Sequence, residues 1–158
     1  RALSAAHDLL TRASWESASL GELASSAVMA AEDHVGEMCI SGPEVQLSPR
    51  QAVSLAMAIH ELATNSARYG ALSVASGRAD LTWSVEHGSE AGRLHLEWRD
   101  SGGPPVSPLA ESGFGTVLLG RLLPRDLRGE AELDLAPEGL RWRLDARLEE
   151  PTAKRPEA

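Results

Sequence analysis

Apolar and polar residues alternate with two different periods along the chain, and these periods divide it into strands and helices. ADLTWSVE at residues 79–86 and RLHLEWRD at residues 93–100 alternate every second residue, as half-buried strands do. Residues 49–69 instead carry apolar side chains along one stripe of a helix, and Gly70 after them is a helix stop signal. The pattern therefore predicts a long amphipathic helix followed by a pair of strands.

Capping signals mark the starts of two helices. Ser48 is expected to cap the long helix, Pro49 takes the first helical position, where its missing N–H is not needed, and Gln51 completes a capping box. Ser19 and Glu22 have the same spacing, so they predict a second helix that begins after Ser19.

Weaker patterns predict shorter elements around these two helices. They are a helix over about residues 2–13, a hairpin of residues 38–41 and 45–47 about Gly42-Pro43, a helix over residues 116–127 interrupted near Pro124, and a hairpin of residues 131–136 and 139–148. Helices placed between antiparallel hairpins predict an α+β fold, a two-layer α/β sandwich.

The composition fits one cytoplasmic domain that does not bind nucleic acid. The chain has 158 residues, of which 42% are apolar, enough for a single core. A net charge of −8 argues against nucleic acid, which needs a basic face, but not against a nucleotide. No apolar run is long enough to cross a membrane, no signal peptide is recognisable, and the single Cys39 has no disulfide partner. The first residue, Arg1, indicates a piece of a longer protein.

The first group of residues with candidate chemistry lies on the long helix, in HELATNSARYGALS. Glu61, Asn65 and Arg68 are spaced i, i+4 and i+7, so they share one face. Carboxylate and amide oxygens suit Mg²⁺, and a guanidinium suits phosphate. Taken alone, a solvated helix face explains the same spacing.

Two glycine-rich loops form the second and third groups. In WRDSGGPPVSP, Asp100 ends a strand and Gly102 and Gly103 follow, so a carboxylate lies beside backbone that a planar ligand can approach. In SGFGT at residues 112–116, glycines at a helix start expose amides to a phosphate. A plain turn capped by Asp100 would explain the first loop, and a lone GxG is weak. The three groups in this order are a more specific signal.

Together these motifs resemble the catalytic domain of HWE-family sensor histidine kinases. HELATNSARYGAL is similar to the N box, and WRDSGGPPV and GFGTVLLGRL are similar to two glycine boxes. The family belongs to the ATPase superfamily shared with gyrase and heat-shock chaperones, which implies a Bergerat-type ATP-binding fold with a mixed sheet packed on about three helices. AHDLLTRASWESASL resembles the segment before the ATPase domain, so the likeness runs roughly from residue 3 to residue 148.

The resemblance implies three parts of the chain and a role for each matching residue. Residues 1–18 would end the dimerisation and phosphotransfer hairpin, residues 19–149 would form the catalytic domain, and residues 150–158 would be a disordered tail. Asn65 would bind Mg²⁺, and Glu61 would assist the metal or orient the reacting water or acceptor. The remaining residues implied to contact ATP are Arg68, Tyr69, Asp100, Gly102, Gly103, Gly113, Phe114, Gly115 and Thr116.

Three residues of the family signature can be compared directly. His60 and Trp98 match it, whereas Asp100 stands where the family has Glu. Aspartate is usual in the wider superfamily, so Asp100 is still implied to accept a hydrogen bond from the adenine amino group. His60 points about 100° away from Glu61 around the helix, which favours a supporting or packing role. Trp98 is expected to pack beneath the site.

The implied activity is transfer of the ATP γ-phosphoryl group to a histidine of the dimerisation helices, for relay to a response regulator. That acceptor is expected upstream of this chain, and His7 is expected not to be the acceptor. Two alternatives are an anti-sigma-type serine kinase, disfavoured by the hairpin-like start, and a phosphotransfer or scaffold module with a decayed ATP site. Intact Glu61, Asn65 and glycines disfavour the second.

Overall fold

The computed structural model describes residues 18–31, 34–88, 92–105 and 118–149. The expected helix at residues 2–13, the loop at residues 112–116 and the tail at residues 150–158 lie outside the described residues, so the three-part division of the chain stays a prediction. In chain order the helices and strands are β1 (Ala18–Ser19), α1 (Leu20–Met29), β2 (Glu37–Ser41), β3 (Gln46–Leu47), α2 (Pro49–Tyr69), β4 (Arg78–Glu86), β5 (Arg93–Ser101), α3 (Leu123–Asp126), β6 (Gly129–Ala136) and β7 (Gly139–Arg147).

One five-stranded sheet forms the first layer, in the order β2-β4-β5-β7-β6. Strand β2 runs parallel to β4, and the other neighbours are antiparallel. The predicted α+β class and mixed sheet are therefore confirmed. A separate pair, β1 with β3, lies outside this sheet.

Alternate residues of the strands are apolar, so one face of the sheet is apolar and the helices pack against that face. In β5 the inward positions are Leu94, Leu96, Trp98 and Asp100, and all four are buried. Trp98 pairs with Trp142 of β7, which is equally buried and donates its indole N–H to the carbonyl of Leu119 at 3.0 Å. This alternation aims the side chain of Asp100 at the helical layer.

The long helix α2 has the predicted bounds, but the side chain of Gln51 makes contacts other than the predicted ones. Ser48 caps it, since its Oγ accepts a hydrogen bond from the Gln51 amide at 3.2 Å. The Gln51 side chain does not complete a capping box. It donates to the carbonyl of Arg147 at 2.9 Å and accepts from the amide of Glu149 at 3.0 Å. The start of α2 is thereby tied to the end of β7.

The hairpin predicted for residues 38–41 and 45–47 is wrong. Strand β2 pairs in parallel with β4, and β3 pairs with β1. Parallel neighbours need a long crossover, and α2 supplies it between β2 and β4. The carbonyl of Pro43 instead accepts the indole N–H of Trp83 at 2.7 Å.

Two smaller predictions also need correction. Ser19 precedes α1 but makes no side-chain capping bond, and the Leu20 amide at the helix start donates to the carbonyl of Val45 at 2.9 Å. The break expected near Pro124 lies upstream, in a π-helical turn at Leu118–Leu122. Pro124 falls in the first turn of α3, where a proline is tolerated.

Candidate functional site

The side chain of Asp100 is buried at the carboxyl end of β5. Only 5% of the residue is exposed, an unusual position for a carboxylate. Its neighbours are Trp98, two residues earlier on the same strand face, and the last turns of α2 with the 3-10 turn at Ala71–Ser73. The site is thus built where the sheet meets the end of the long helix.

Three donors hold the Asp100 carboxylate. The indole N–H of Trp98 lies 2.8 Å from Oδ1, and the amide of Ala71 lies 3.2 Å from Oδ2. The hydroxyl of Ser66 lies 3.0 Å from Oδ1 and 2.9 Å from Oδ2. An ionised carboxylate has about four acceptor positions, and Ser66 has one proton to give. The described part of the chain therefore fills three of these positions and leaves one without a donor.

Burial also changes the acidity of this group. Desolvation raises the pKa of the Asp100 carboxyl above its ordinary value, and the hydrogen bonds from Trp98, Ala71 and Ser66 act in the opposite direction. The ionised form of this carboxyl group is therefore stabilised by its hydrogen-bond donors and destabilised by its burial away from water.

The backbone around Asp100 is closely packed at two glycines. A Cβ on Gly70 would overlap Oδ2 of Asp100. Gly102 has φ +71°, a backbone conformation that residues with a side chain disfavour. A Cβ there would also lie 2.6 Å from the carbonyl oxygen of Ser76, so both the conformation and the lack of space exclude a side chain. The space for a planar ligand that the sequence suggests at Gly102 stays a prediction, because the group nearest to a Cβ on this glycine is the backbone of Ser76.

The predicted metal and phosphate residues lie beside this cluster on α2. Glu61 and Asn65 are half-buried, one turn apart, while Arg68 and Tyr69 are exposed. Asn65 directly precedes Ser66 and so lies about 100° around the helix from it. The N-box face therefore flanks the Asp100 cluster on the same final turns of α2.

The second glycine box cannot be placed against these residues. Its four predicted contacts lie outside the described residues, namely Gly113, Phe114, Gly115 and Thr116. Gly103, in the first box, packs against the backbone of Ala71.

His60 lies on another side of α2. It is half-buried, and desolvation lowers the pKa of its imidazole, while the carbonyl of Ala30 and the carboxylate of Glu61 oppose that shift. Ala30 follows the last residue of α1, so the ring faces the end of that helix. This position fits the predicted supporting role, which stays a prediction.

A broad trough of about 730 Å³ opens on the opposite, outer face of the sheet. Its walls include an ion pair of Arg143 with Glu132 at 2.8 Å and a contact of the His95 ring with the Asp145 carboxylate at 3.0 Å. None of its residues belongs to the predicted site. Exposed ion pairs of this kind contribute little and are already satisfied, so we interpret the trough as solvated sheet surface.

Two residues of the Asp100 cluster were missed or understated by the sequence analysis. Trp98 was expected only to pack, yet its N–H bonds the carboxylate. The spacing W-x-D on a strand places both side chains on one face, so this signal was present. Ser66 was not singled out, because its contact depends on the packing of α2 against β5.

The architecture matches that of solved histidine kinase structures. The blue-light activated histidine kinase of Erythrobacter litoralis superimposes with a TM-score of 0.71 at 19% identity, over 93% of this chain and 46% of that one. The mycobacterial sensor histidine kinase MprB superimposes with a TM-score of 0.60 at 14% identity, over 85% of this chain and 99% of that one. At these identities the likeness shows the fold.

Proteins related in sequence narrow the assignment from a fold to a family. Residues 1–44 match the family model described as HWE histidine kinase. The blue-light-activated histidine kinase of Brucella anthropi is 37% identical over 141 residues, which are 89% of this chain and 29% of that protein. The Brucella ovis protein of the same name is 35% identical over the same share. The chain belongs to the HWE histidine kinase family, and it spans less than a third of the length of these relatives.

Proposed function

We propose that this chain is the ATP-binding catalytic part of a sensor histidine kinase. It binds ATP with Mg²⁺ and transfers the γ-phosphoryl group to a histidine on the dimerisation helices of the same kinase, for relay to a response regulator. The observation that carries the proposal is the buried Asp100 carboxylate, for which the described residues supply three donors to about four acceptor positions. Family membership and the fold support it.

Adenine suits the open position on Asp100. A carboxylate only accepts hydrogen bonds, and the adenine amino group is a donor. Since the carboxylate lies at the end of a strand, beside Gly102 and Gly103, a purine edge would approach it from the glycine loop. The base would thus be recognised by a charge-assisted hydrogen bond.

The residues of α2 fit Mg²⁺ in the company of phosphates. Glu61 and Asn65 offer oxygen ligands one turn apart and are only half-buried. Among the described residues no group of three or more His, Cys, Asp or Glu side chains is placed to hold a metal by itself. Mg²⁺ commonly uses one or two protein ligands together with substrate phosphates, and when bound it would neutralise phosphate charge.

Positioning is the main task of the remaining residues. The bond from the γ-phosphorus to the bridging oxygen breaks, ADP leaves, and a bond forms from the phosphorus to an imidazole nitrogen of the acceptor. The imidazole proton passes to solvent or to Glu61, and the exposed Arg68 meets phosphate charge. Asp100 would hold the base during transfer without touching the reacting atoms.

Calorimetric titration with a non-hydrolysable ATP analogue and Mg²⁺ tests the proposal. Asn65→Ala is expected to abolish Mg²⁺-dependent binding. Asp100→Asn is expected to weaken binding by about 1.5–3 kcal/mol, the scale of a hydrogen bond to a charged group. Thr82→Ala, on the exposed outer face of the sheet, is the control and is expected to bind like the unmodified chain.

Unchanged affinity in either site variant would remove that residue from the site. Failure of the unmodified chain to bind the analogue would contradict the proposal as a whole. That outcome would favour the alternative of a scaffold module with a decayed site.

A further inference from the structure

Two side chains fix the orientation of the Asp100 carboxylate. Trp98 is fully buried beneath it and donates at 2.8 Å, and Ser66, only 3% exposed, donates from α2. The terminal torsion of an aspartate is otherwise soft and broadly distributed. The direction of the open acceptor position is therefore set by these two donors together with the Ala71 amide.

The hydroxyl of Ser66 is itself oriented. Its oxygen accepts the amide N–H of Leu72 at 3.1 Å, so its single proton is left for the carboxylate. Leu72 belongs to the turn that follows α2, and Ser66 follows Asn65 directly. One hydroxyl thus connects the N-box helix, the turn after it and the end of β5.

We propose that Ser66 and Trp98 are specificity-determining residues, which fix the open acceptor of Asp100 and thereby set the preference of the site for a 6-aminopurine. The inference rests on the proposed function, because it needs a purine nucleotide as the ligand. It concerns positioning, since both residues act through Asp100.

The physical reason is the penalty for an unpaired buried acceptor. A purine without an amino group at position 6 leaves the open position of the carboxylate without a donor, and a buried charged group is sensitive to such a loss. Discrimination is sharp only when the carboxylate cannot turn to find another partner. Removing the Trp98 or Ser66 donor permits that turn and so reduces the discrimination.

Two conservative variants with matched controls test this inference. Ser66→Ala and Trp98→Phe each remove one donor to Asp100. Ser54→Ala removes a hydroxyl from another buried serine of α2, and Trp142→Phe removes an indole N–H that bonds the carbonyl of Leu119. Each chain is titrated with Mg²⁺ and either ATP or the triphosphate of purine riboside, which lacks the 6-amino group.

The unmodified chain and both controls are expected to prefer ATP by about 10-fold or more, the scale of a hydrogen bond to a charged group. Ser66→Ala and Trp98→Phe are expected to reduce this preference to about threefold or less through weaker ATP binding. Because the readout is the ratio of the two affinities, a general loss of stability weakens the binding of both triphosphates and leaves that ratio unchanged.

A wild-type ratio in both variants would overturn the inference, and so would an equal loss of preference in the two controls. If the unmodified chain binds neither triphosphate, the proposed function fails and the inference fails with it. If the unmodified chain binds ATP and the variants keep its preference, only the inference fails.

Discussion

Asp100 combines two properties that usually exclude each other, burial and a free acceptor. It is 5% exposed, yet the donors among the described residues fill only three of about four acceptor positions on its carboxylate. A buried ion without such partners would be strongly destabilising. The cluster around it therefore stabilises a charge in the core, and the proposed function uses the remaining acceptor position for a ligand.

The acidity of Asp100 gives a prediction for stability against pH. An aspartic acid ordinarily titrates near 3.8, and burial raises the pKa of Asp100 above that value in the folded chain. Between the two pKa values the folded state holds a proton that the unfolded state has lost. The contribution of Asp100 to the free energy of unfolding therefore falls as pH rises through this window.

Urea denaturation of the unmodified chain and of Asp100→Asn, over about pH 3.5–7, measures this contribution. The free energy of unfolding of the unmodified chain, minus that of the variant, is expected to decrease with rising pH just above 3.8. A difference that is constant or increases across this range would contradict the assigned direction of the shift.

At the residue scale, the sequence singled out Asp100 and Asn65, whose ligand roles stay predictions, but it did not indicate the donors around the carboxylate. Asp100 was found because it ends a strand before two glycines. Ser66 looked like any small polar residue of α2, since nothing in its spacing shows that β5 ends beside it. Long-range contacts of this kind depend on how layers pack and are not encoded in a local pattern.

At the scale of elements, α2 is fixed at both ends by bonds to the sheet. Its last turns contact Asp100 through Ser66, and its start is held by Gln51 against the end of β7. Ser48 adds a bond to the carboxylate of Glu149 at 2.7 Å. The helix that carries the predicted metal residues is thereby held in one position relative to the strand that carries the predicted adenine contact.

Truncation of Gln51 tests the contact at the start of the helix. Gln51→Ala removes two bonds to backbone groups of Arg147 and Glu149 and is expected to lower the free energy of unfolding by about 1–3 kcal/mol. Gln46→Ala is the control, because Gln46 is exposed and its side-chain amide donates to the nearby Glu44. Equal stability of the two variants in urea would show that the contact contributes nothing.

The element pattern was predicted well where a signal was local. The bounds of α2, β4 and β5 follow from the Ser-Pro cap, the glycine stop and strict alternation. The hairpin expected for residues 38–47 failed because a turn signal at Gly42-Pro43 does not decide which strand a short segment joins. Pairing of β2 with β4 depends on the crossover through α2, which is a property of the whole sheet.

At the scale of the whole molecule, the chain matches 29% of the length of its Brucella anthropi relative. The described helices are not long and apolar enough for any of them to cross a membrane. We propose that His7 is not the phosphoacceptor, so the chain is expected to bind ATP without becoming phosphorylated on His7.

Incubation of the isolated chain with γ-labelled ATP and Mg²⁺ tests that expectation. No label that is stable to base and labile to acid, as phosphohistidine is, should accumulate on the chain. A His7→Gln variant is the control, because it lacks the only histidine in the first segment of the chain. Stable label on the unmodified chain that disappears in His7→Gln would identify His7 as an acceptor and contradict the prediction.

The most direct test of a nucleotide at Asp100 is the indole ¹⁵N–¹H spectrum of the tryptophans during titration with Mg²⁺ and an ATP analogue. The Trp98 indole donates to the carboxylate proposed to bind adenine, whereas the Trp83 indole donates to the carbonyl of Pro43. The signal of Trp98, assigned from Trp98→Phe, should shift to a saturated position while that of Trp83 stays in place. A chain that binds the analogue with the Trp98 signal unmoved would contradict the account.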